Sequence, residues 1–259
     1  MEVHAHTHTA RKKWTHYLWE FLMLFLAVFC GFLAENLREH TIEHRREKQY
    51  MQSLLADLKN DSTELSNKEN DLKTFPAALT RLADDCNQPV LSDSIQREMY
   101  DLNFRYLGTM QIYFTDKTAS QLKNAGAMRL IRKRKVADAI TIYWQGIDDL
   151  KFTYSNYENY RRPLRQLSFR IFNYTNYKNA DKSIVDFAND HPQLTVKDPV
   201  LLKEYGSQVW LIASNIVNYY SPAVEKQKKM NVSLSALIKK EYRLSQRTLQ
   251  RSPDGPLEK

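Results

Sequence analysis

The sequence predicts an all-α protein: one N-terminal transmembrane helix that continues into a long stalk helix, followed by an antiparallel helical bundle. Three observations predict it. Phe21 to Ala34 is an unbroken apolar run, FLMLFLAVFCGFLA. Six glycines and eight prolines among 259 residues leave little room for the many tight turns of an all-β domain. Past the apolar run, hydrophobic residues recur at steps of three, four or seven, the spacing of helices packed along one seam.

Trp14, Tyr17, Trp19 and Glu20 extend the apolar run forward, so that residues 14–34 reach the roughly 20 residues a bilayer core requires. Trp14, Tyr17 and Trp19 are then interface aromatics at the headgroup level. Arg11, Lys12 and Lys13 precede the span, and Glu35, Arg38, Glu39 and His40 follow it. A buried helix of a soluble protein is the competing reading of a 14-residue run, and the charged flanks and edge aromatics weigh against it. A cleaved signal peptide fits less well, because cleavage after Ala34 would set bulky Phe32 where a small residue is needed.

Residues 1–13 form a basic, His-rich leader, and residues 35–75 the stalk. Leu37, His44, Met51, Leu58, Leu65 and Leu72 recur every seven residues along it, in an otherwise charged sequence. Pro76 breaks or restarts this helix, and the bundle occupies 76–250, with helices expected over roughly Ala77–Cys86 and Asp93–Leu107. A short helix after Asp116 ends where Gly126 can cap it. The long helix beyond carries Val136, Ile140, Tyr143, Ile147, Leu150, Tyr154, Tyr157, Leu164 and Ile171 on one stripe, with a kink expected at Pro163. Residues 173–197 read as polar and turn-like. Asp198-Pro199 then starts a helix, Asp as N-cap and Pro at the first helical position. Its inner stripe is Leu202, Tyr205, Val209, Ile212, Ile216 and Tyr219, with a second possible kink at Pro222 and a resumption through Leu234, Leu237, Ile238 and Leu244. Residues 251–259 are a polar tail.

The remaining composition names no chemistry. Cys30 and Cys86 cannot form a disulfide framework. A formal charge of +8 suits anionic lipid, yet acids and bases are interspersed along the chain and the balance alone selects no partner. His4, His6 and His8 alternate, and His40 and His44 are four apart, but no third ligand with open coordination accompanies them, so no metal is assigned. Arg129, Arg132, Lys133, Arg134 and Lys135 read as the solvated turn into the long helix. No other mark of a nucleic-acid fold accompanies them. Tyr154, Tyr157, Tyr160, Tyr174 and Tyr177 could line a ligand groove, though their helical spacing favours core packing. Fingerprints of hydrolases, metalloproteases, P-loops and dinucleotide-binding enzymes do not occur. No enzyme activity and no cofactor are expected.

Glu20, Ala27, Gly31 and Ala34 share one face of the span. Small residues let membrane helices approach closely and an ionisable group there turns toward protein, so a membrane-helix packing face is one reading. The other leaves Glu20 in the headgroups beside Trp19.

Two stretches carry a family resemblance. WEFLMLFLAVFCGFLAENLREHTIEHRREKQYMQSLLADLKND is similar to the opening of a large uncharacterised family of bacterial single-pass membrane proteins. TASQLKNAGAMRLIRKRKVADAITIYW resembles the same family's internal segment, a Thr/Ser-x-x-x-Leu-Lys-x-x-Gly element followed by Leu-Ile, a basic turn and a Tyr-rich helix. The resemblance covers about a third of the chain. Ala119 and Ala127 stand where more polar residues are common, and the leader MEVHAHTHTA is outside the shared pattern. It implies a membrane anchor with a helical extramembrane domain, and no activity.

The expected function is that of a membrane-anchored helical scaffold or interaction protein in a bacterial inner membrane. Its partners are the lipid bilayer, a second copy through the membrane helix and stalk, and a possible protein partner, with no nucleic acid. Basic residues flank both ends of the span in nearly equal number, and a short basic leader before an uncleaved helix favours a cytoplasmic leader and a periplasmic body. An extracytoplasmic ligand-sensing module signalling through a partner is the alternative. A further one is a proton-coupled membrane subunit using Glu20.

Overall fold

The first helix, α1 (Trp14–Asp85), runs for 72 residues, and the chain divides at its middle into two compact units, residues 1–50 and 51–259. The structure, a computed structural model, describes residues 14–124, 126–180 and 185–244; the His4, His6 and His8 leader, Arg11–Lys13 and the 251–259 tail lie outside them.

In the first unit the described residues belong to the N-terminal half of α1. Its apolar side chains are open on every side: Trp14, Phe21, Leu24, Val28 and Phe32 are all exposed, and so is Leu37. Phe21, Phe25 and Phe29 stack along one edge at the four-residue repeat. This helix is long and apolar enough to cross a membrane by length and composition, and none of its most apolar 18-residue window is buried within the chain.

The second unit is a bundle of α-helices. Besides the rest of α1 it contains α2 (Asp93–Tyr106), α3 (Lys117–Asn124), α4 (Arg134–Ile171), α5 (Pro199–Asn215) and α6 (Ser221–Tyr242). The heptad residues Met51, Leu58, Leu65 and Leu72 are buried, as are Leu54, Leu55, Leu79 and Leu82. α1 therefore runs through Pro76 to Asp85 instead of breaking there. Proline costs a helix one hydrogen bond and crowds the preceding turn. Leu72 before it and Leu79 and Leu82 after it lie in one core cluster, which holds both sides in register.

Several ends follow the sequence signals. Ser92 caps α2 by accepting from the Ile95 N–H. Gly126 adopts φ 61°, a left-handed conformation open to glycine without strain, after α3. Asp198 accepts from the Val200 N–H at 2.9 Å and Pro199 opens α5. The long stripe of α4 is buried as expected at Val136, Ile140, Tyr143, Ile147, Leu150, Tyr157, Leu164 and Ile171.

Two further features depart from the expected architecture. The polar 173–197 stretch contains a small antiparallel hairpin, β1 (Tyr177–Ala180) with β2 (Val185–Phe187). Tyr177 and Phe187 sit opposite one another and both rings pack on Tyr100, so a local aromatic cluster supplies what the sparse apolar pattern did not announce. The second departure lies between α5 and α6, where residues 216–220 form a π-helical turn whose wider loop bonds the Ser221 N–H to the Ile216 carbonyl. A π turn inserts one residue into the helical count. The inner stripe consequently passes from Ile216 to Tyr220 and Val224, and Tyr219, expected inside, is exposed. The wide turn also precedes Pro222, whose ring would otherwise press on the preceding turn of an α-helix.

Candidate functional site

Asp57 and Asp61 project from α1 toward the segment leading into α3. The Thr118 N–H donates to Asp57 Oδ2 at 2.9 Å and the Thr115 N–H donates to Asp61 Oδ1 at 2.8 Å. The Thr118 amide lies in the first turn of α3, which has no internal acceptors, and Thr115 lies just before that helix, so the two carboxylates supply acceptors from another element. The Thr118 hydroxyl bonds Ser53 at 3.0 Å. All three residues Asp57, Asp61 and Thr118 are buried.

The second oxygen of Asp61 accepts from the Tyr143 hydroxyl of α4 at 2.8 Å. Asn231 of α6 donates to that hydroxyl at 3.1 Å and to the Leu58 carbonyl at 2.9 Å. Gln227 donates to the Tyr143 carbonyl at 3.1 Å. One buried network thus ties four helices together. Burial raises the Asp61 carboxyl above its ordinary value and outweighs the donors from Thr115 and Tyr143, which favour the charged form. Tyr143 is raised as well, first by burial and then by the charge of Asp61. The arrangement holds helices in place. Each Asp61 oxygen accepts a hydrogen bond from this protein.

The network joins the two stretches that carry the family resemblance. Ser53, Asp57 and Asp61 belong to the first, and Thr118, Lys123, Tyr143 and Trp144 to the second, where Lys123 lies 4.7 Å over the Trp144 ring.

Beside the network an open depression of about 400 Å³ is lined by Asn60, Thr63, Glu64, Tyr113 and Thr115. A second, of about 630 Å³, is lined by Phe169, Phe172, Asn173, Tyr174, Thr175 and Thr195. The five tyrosines do not gather around either. Tyr154 and Tyr157 pack with Tyr220, whose hydroxyl donates to the Met110 carbonyl at 2.6 Å. Tyr174 and Tyr177 pack together near Tyr100, and Tyr160 is exposed. Of the five, Tyr174 borders one of these two depressions.

The face of Glu20, Ala27, Gly31 and Ala34 is exposed within the chain, and a Cβ placed on Gly31 would meet open space. The interface aromatics Trp14, Tyr17 and Trp19 are exposed as well. Among the described residues no three metal-ligating side chains gather, and His40 and His44 each face a glutamate, Glu43 and Glu47. Comparison with protein-family models, with curated proteins and with solved structures finds no match to this chain.

The sequence reading missed the Asp57–Asp61–Thr115–Thr118 contacts. The signal was present in the acids of ADLKND, four apart on one helix face at the edge of the buried heptad stripe. Acids there must find donors or pay for desolvation.

Proposed function

We propose that the chain is a single-pass membrane protein, with residues 14–34 in the bilayer and the helical body acting as an interaction scaffold, as the family resemblance implies. The observation that supports it is the bare apolar helix. Phe21, Met23, Leu24, Phe25, Val28, Phe29 and Phe32 have no protein over them, and water is a poor solvent for so much contiguous apolar surface. Trp14, Tyr17 and Trp19 suit the headgroup level at its start.

In this reading a second copy covers part of the helix. Glu20, Ala27, Gly31 and Ala34 form the contact face, since their small side chains allow close approach and the acid turns toward protein. The chain binds and catalyses no reaction.

High-speed sedimentation of lysed cells followed by alkaline extraction tests the span: retention in the extracted membranes is expected, and recovery of the intact chain in the supernatant removes the reading. Cross-linking in mild detergent tests the contact face. Gly31→Leu is expected to reduce the cross-linked dimer severalfold, and Glu20→Gln separates a role for the acid from the headgroup alternative. In this reading the body lies outside the cytoplasm, as the short basic leader before an uncleaved helix favours. Cys86 cannot report this, because it is buried and its thiol is pushed up to about 12 by desolvation. A cysteine at exposed Ser233 on α6 can: reaction with an impermeant thiol reagent in intact cells is expected, and reaction only after lysis reverses the orientation.

A further inference from the structure

The basic turn 129–135 is more than an isolated charge run, because the fold brings a second group of cations to it. Lys133 Nζ lies 3.7 Å from Glu241 near the end of α6, so Lys239, Lys240 and Arg243 share one end of the bundle with Arg129, Arg132, Lys133, Arg134 and Lys135. All eight are exposed, Arg134 to 94 % of its side chain. Within these two segments the acids are Asp138, 3.9 Å from Arg134, and Glu241.

The hydrogen-bond network fixes which end this is. Tyr143 is bonded to Asp61, and Arg134 lies nine residues before Tyr143, about 13 Å of helix. Asn231 is bonded to Leu58, and Lys240 lies nine residues after it, again about 13 Å. Lys228 pairs with Glu69, so α6 runs opposite to α1, while the Lys133–Glu241 and Tyr143–Gln227 contacts make α4 antiparallel to α6. α4 is therefore parallel to α1, and both cationic segments lie at the end of the bundle where Met51 begins. Sixteen residues of chain, 35–50, lie between Met51 and the apolar run.

We propose that this end of the bundle is a docking surface for anionic lipid headgroups of the bilayer in which the apolar helix sits. The inference rests on the membrane reading above. Eight exposed cations drawn from two segments form a broad surface, which suits many phosphates side by side better than one small anion. The attraction between basic residues and an anionic leaflet fades within about 8 Å at physiological salt. Docking by this surface is thus a salt-sensitive contact and adds to an anchor that is already inserted.

The test uses the full-length chain in nanodiscs of neutral phosphatidylcholine and in discs with about 30 per cent phosphatidylglycerol. Lysine acylation rates are read by mass spectrometry. Lys133, Lys135, Lys239 and Lys240 are expected to react about threefold more slowly in the anionic discs, with the protection lost at about 0.5 M salt. Exposed Lys151, Lys203 and Lys226, farther from that end, are expected to keep their rates. Equal rates for the four lysines in the two lipids, in a chain shown to be inserted by its resistance to alkaline extraction, overturn the docking surface and leave the membrane reading standing. Stronger protection by an oligonucleotide in neutral discs than by anionic lipid reassigns the surface to nucleic acid and overturns it too. A chain that never enters the discs removes the membrane reading and this inference together.

Discussion

Asp61 and Asp85 are both buried acids, and their surroundings give them opposite consequences. Asp61 has a donor for each oxygen, so Asp61→Ala strands the Thr115 amide and the Tyr143 hydroxyl and is expected to cost about 3 kcal/mol in urea unfolding. Asp85 is poorly served: Oδ2 is buried without a hydrogen bond, and its nearest cation, Arg81 at 3.4 Å, also pairs with Glu98. Burial, with the charge of Glu98 behind it, pushes the Asp85 carboxyl from 3.8 up to about 6. The folded chain then holds this proton more tightly than the unfolded one. Its stabilising contribution is complete below about pH 4 and is lost as pH rises through 6. Unfolding midpoints measured from pH 4.5 to 7.5 are expected to show Asp85→Asn gaining on the wild type as pH rises, by about 1–2 kcal/mol at the upper end; a constant difference across that range contradicts it. Gly206 is a third sensitive residue. A methyl there would stand 2.9 Å from Cys86 Cβ and 3.1 Å from the Ala83 carbonyl oxygen, so Gly206→Ala is expected to cost about 1–3 kcal/mol despite the better helix propensity of alanine.

Among the elements, the π turn at 216–220 carries the clearest structural consequence. It holds one residue more than an α-helical turn would, and exposed Tyr219 is the residue the core does not use. Deleting Tyr219 restores α-helical count and would keep Ile216, Tyr220 and Val224 on one stripe. It also moves Pro222 into a regular helix interior, at a cost of about 3 kcal/mol. The deletion alone is therefore expected to lower stability by about that amount, and the deletion combined with Pro222→Ala to recover most of it. Thermal unfolding of the two variants distinguishes this from a turn held only by its tertiary contacts, for which the alanine would recover nothing.

At the scale of the molecule, the two units differ in how they treat their apolar side chains. The described residues of the second unit bury their helix stripes, with one core cluster drawn from Leu65 to Val224, whereas none of the most apolar window of α1 is buried within the chain. Arginine in place of both Leu24 and Val28 adds about 2.5–3.5 kcal/mol per site to membrane insertion. The double variant is expected to leave the membrane pellet while the near-UV circular dichroism of the body stays unchanged. A body that unfolds with the anchor would contradict the separation of the two units.

Much of this architecture was legible in the residues. The apolar run, the heptads at Met51, Leu58, Leu65 and Leu72, the stripe of α4 and the Asp198-Pro199 start are local patterns, and a helix writes its buried face into its own spacing. Pro76, Tyr219 and the hairpin at 177–187 were misread or missed because each is settled by distant neighbours: the Leu79 and Leu82 packing carries α1 past its proline, the extra residue of the π turn brings Tyr220 inward, and the Tyr100 ring seats both strands. The candidate site was the least legible part. Asp57 and Asp61 are 54 or more residues from Thr115 and Thr118 in the chain, and the basic turn at 129–135 is over 100 from Lys239. The sequence by itself determined most of the helices and the faces they bury, since that information is periodic and local. The tertiary structure decided which acids cap which helix and which cations share an end, since hydrogen bonds and electrostatic fields depend on distance through space.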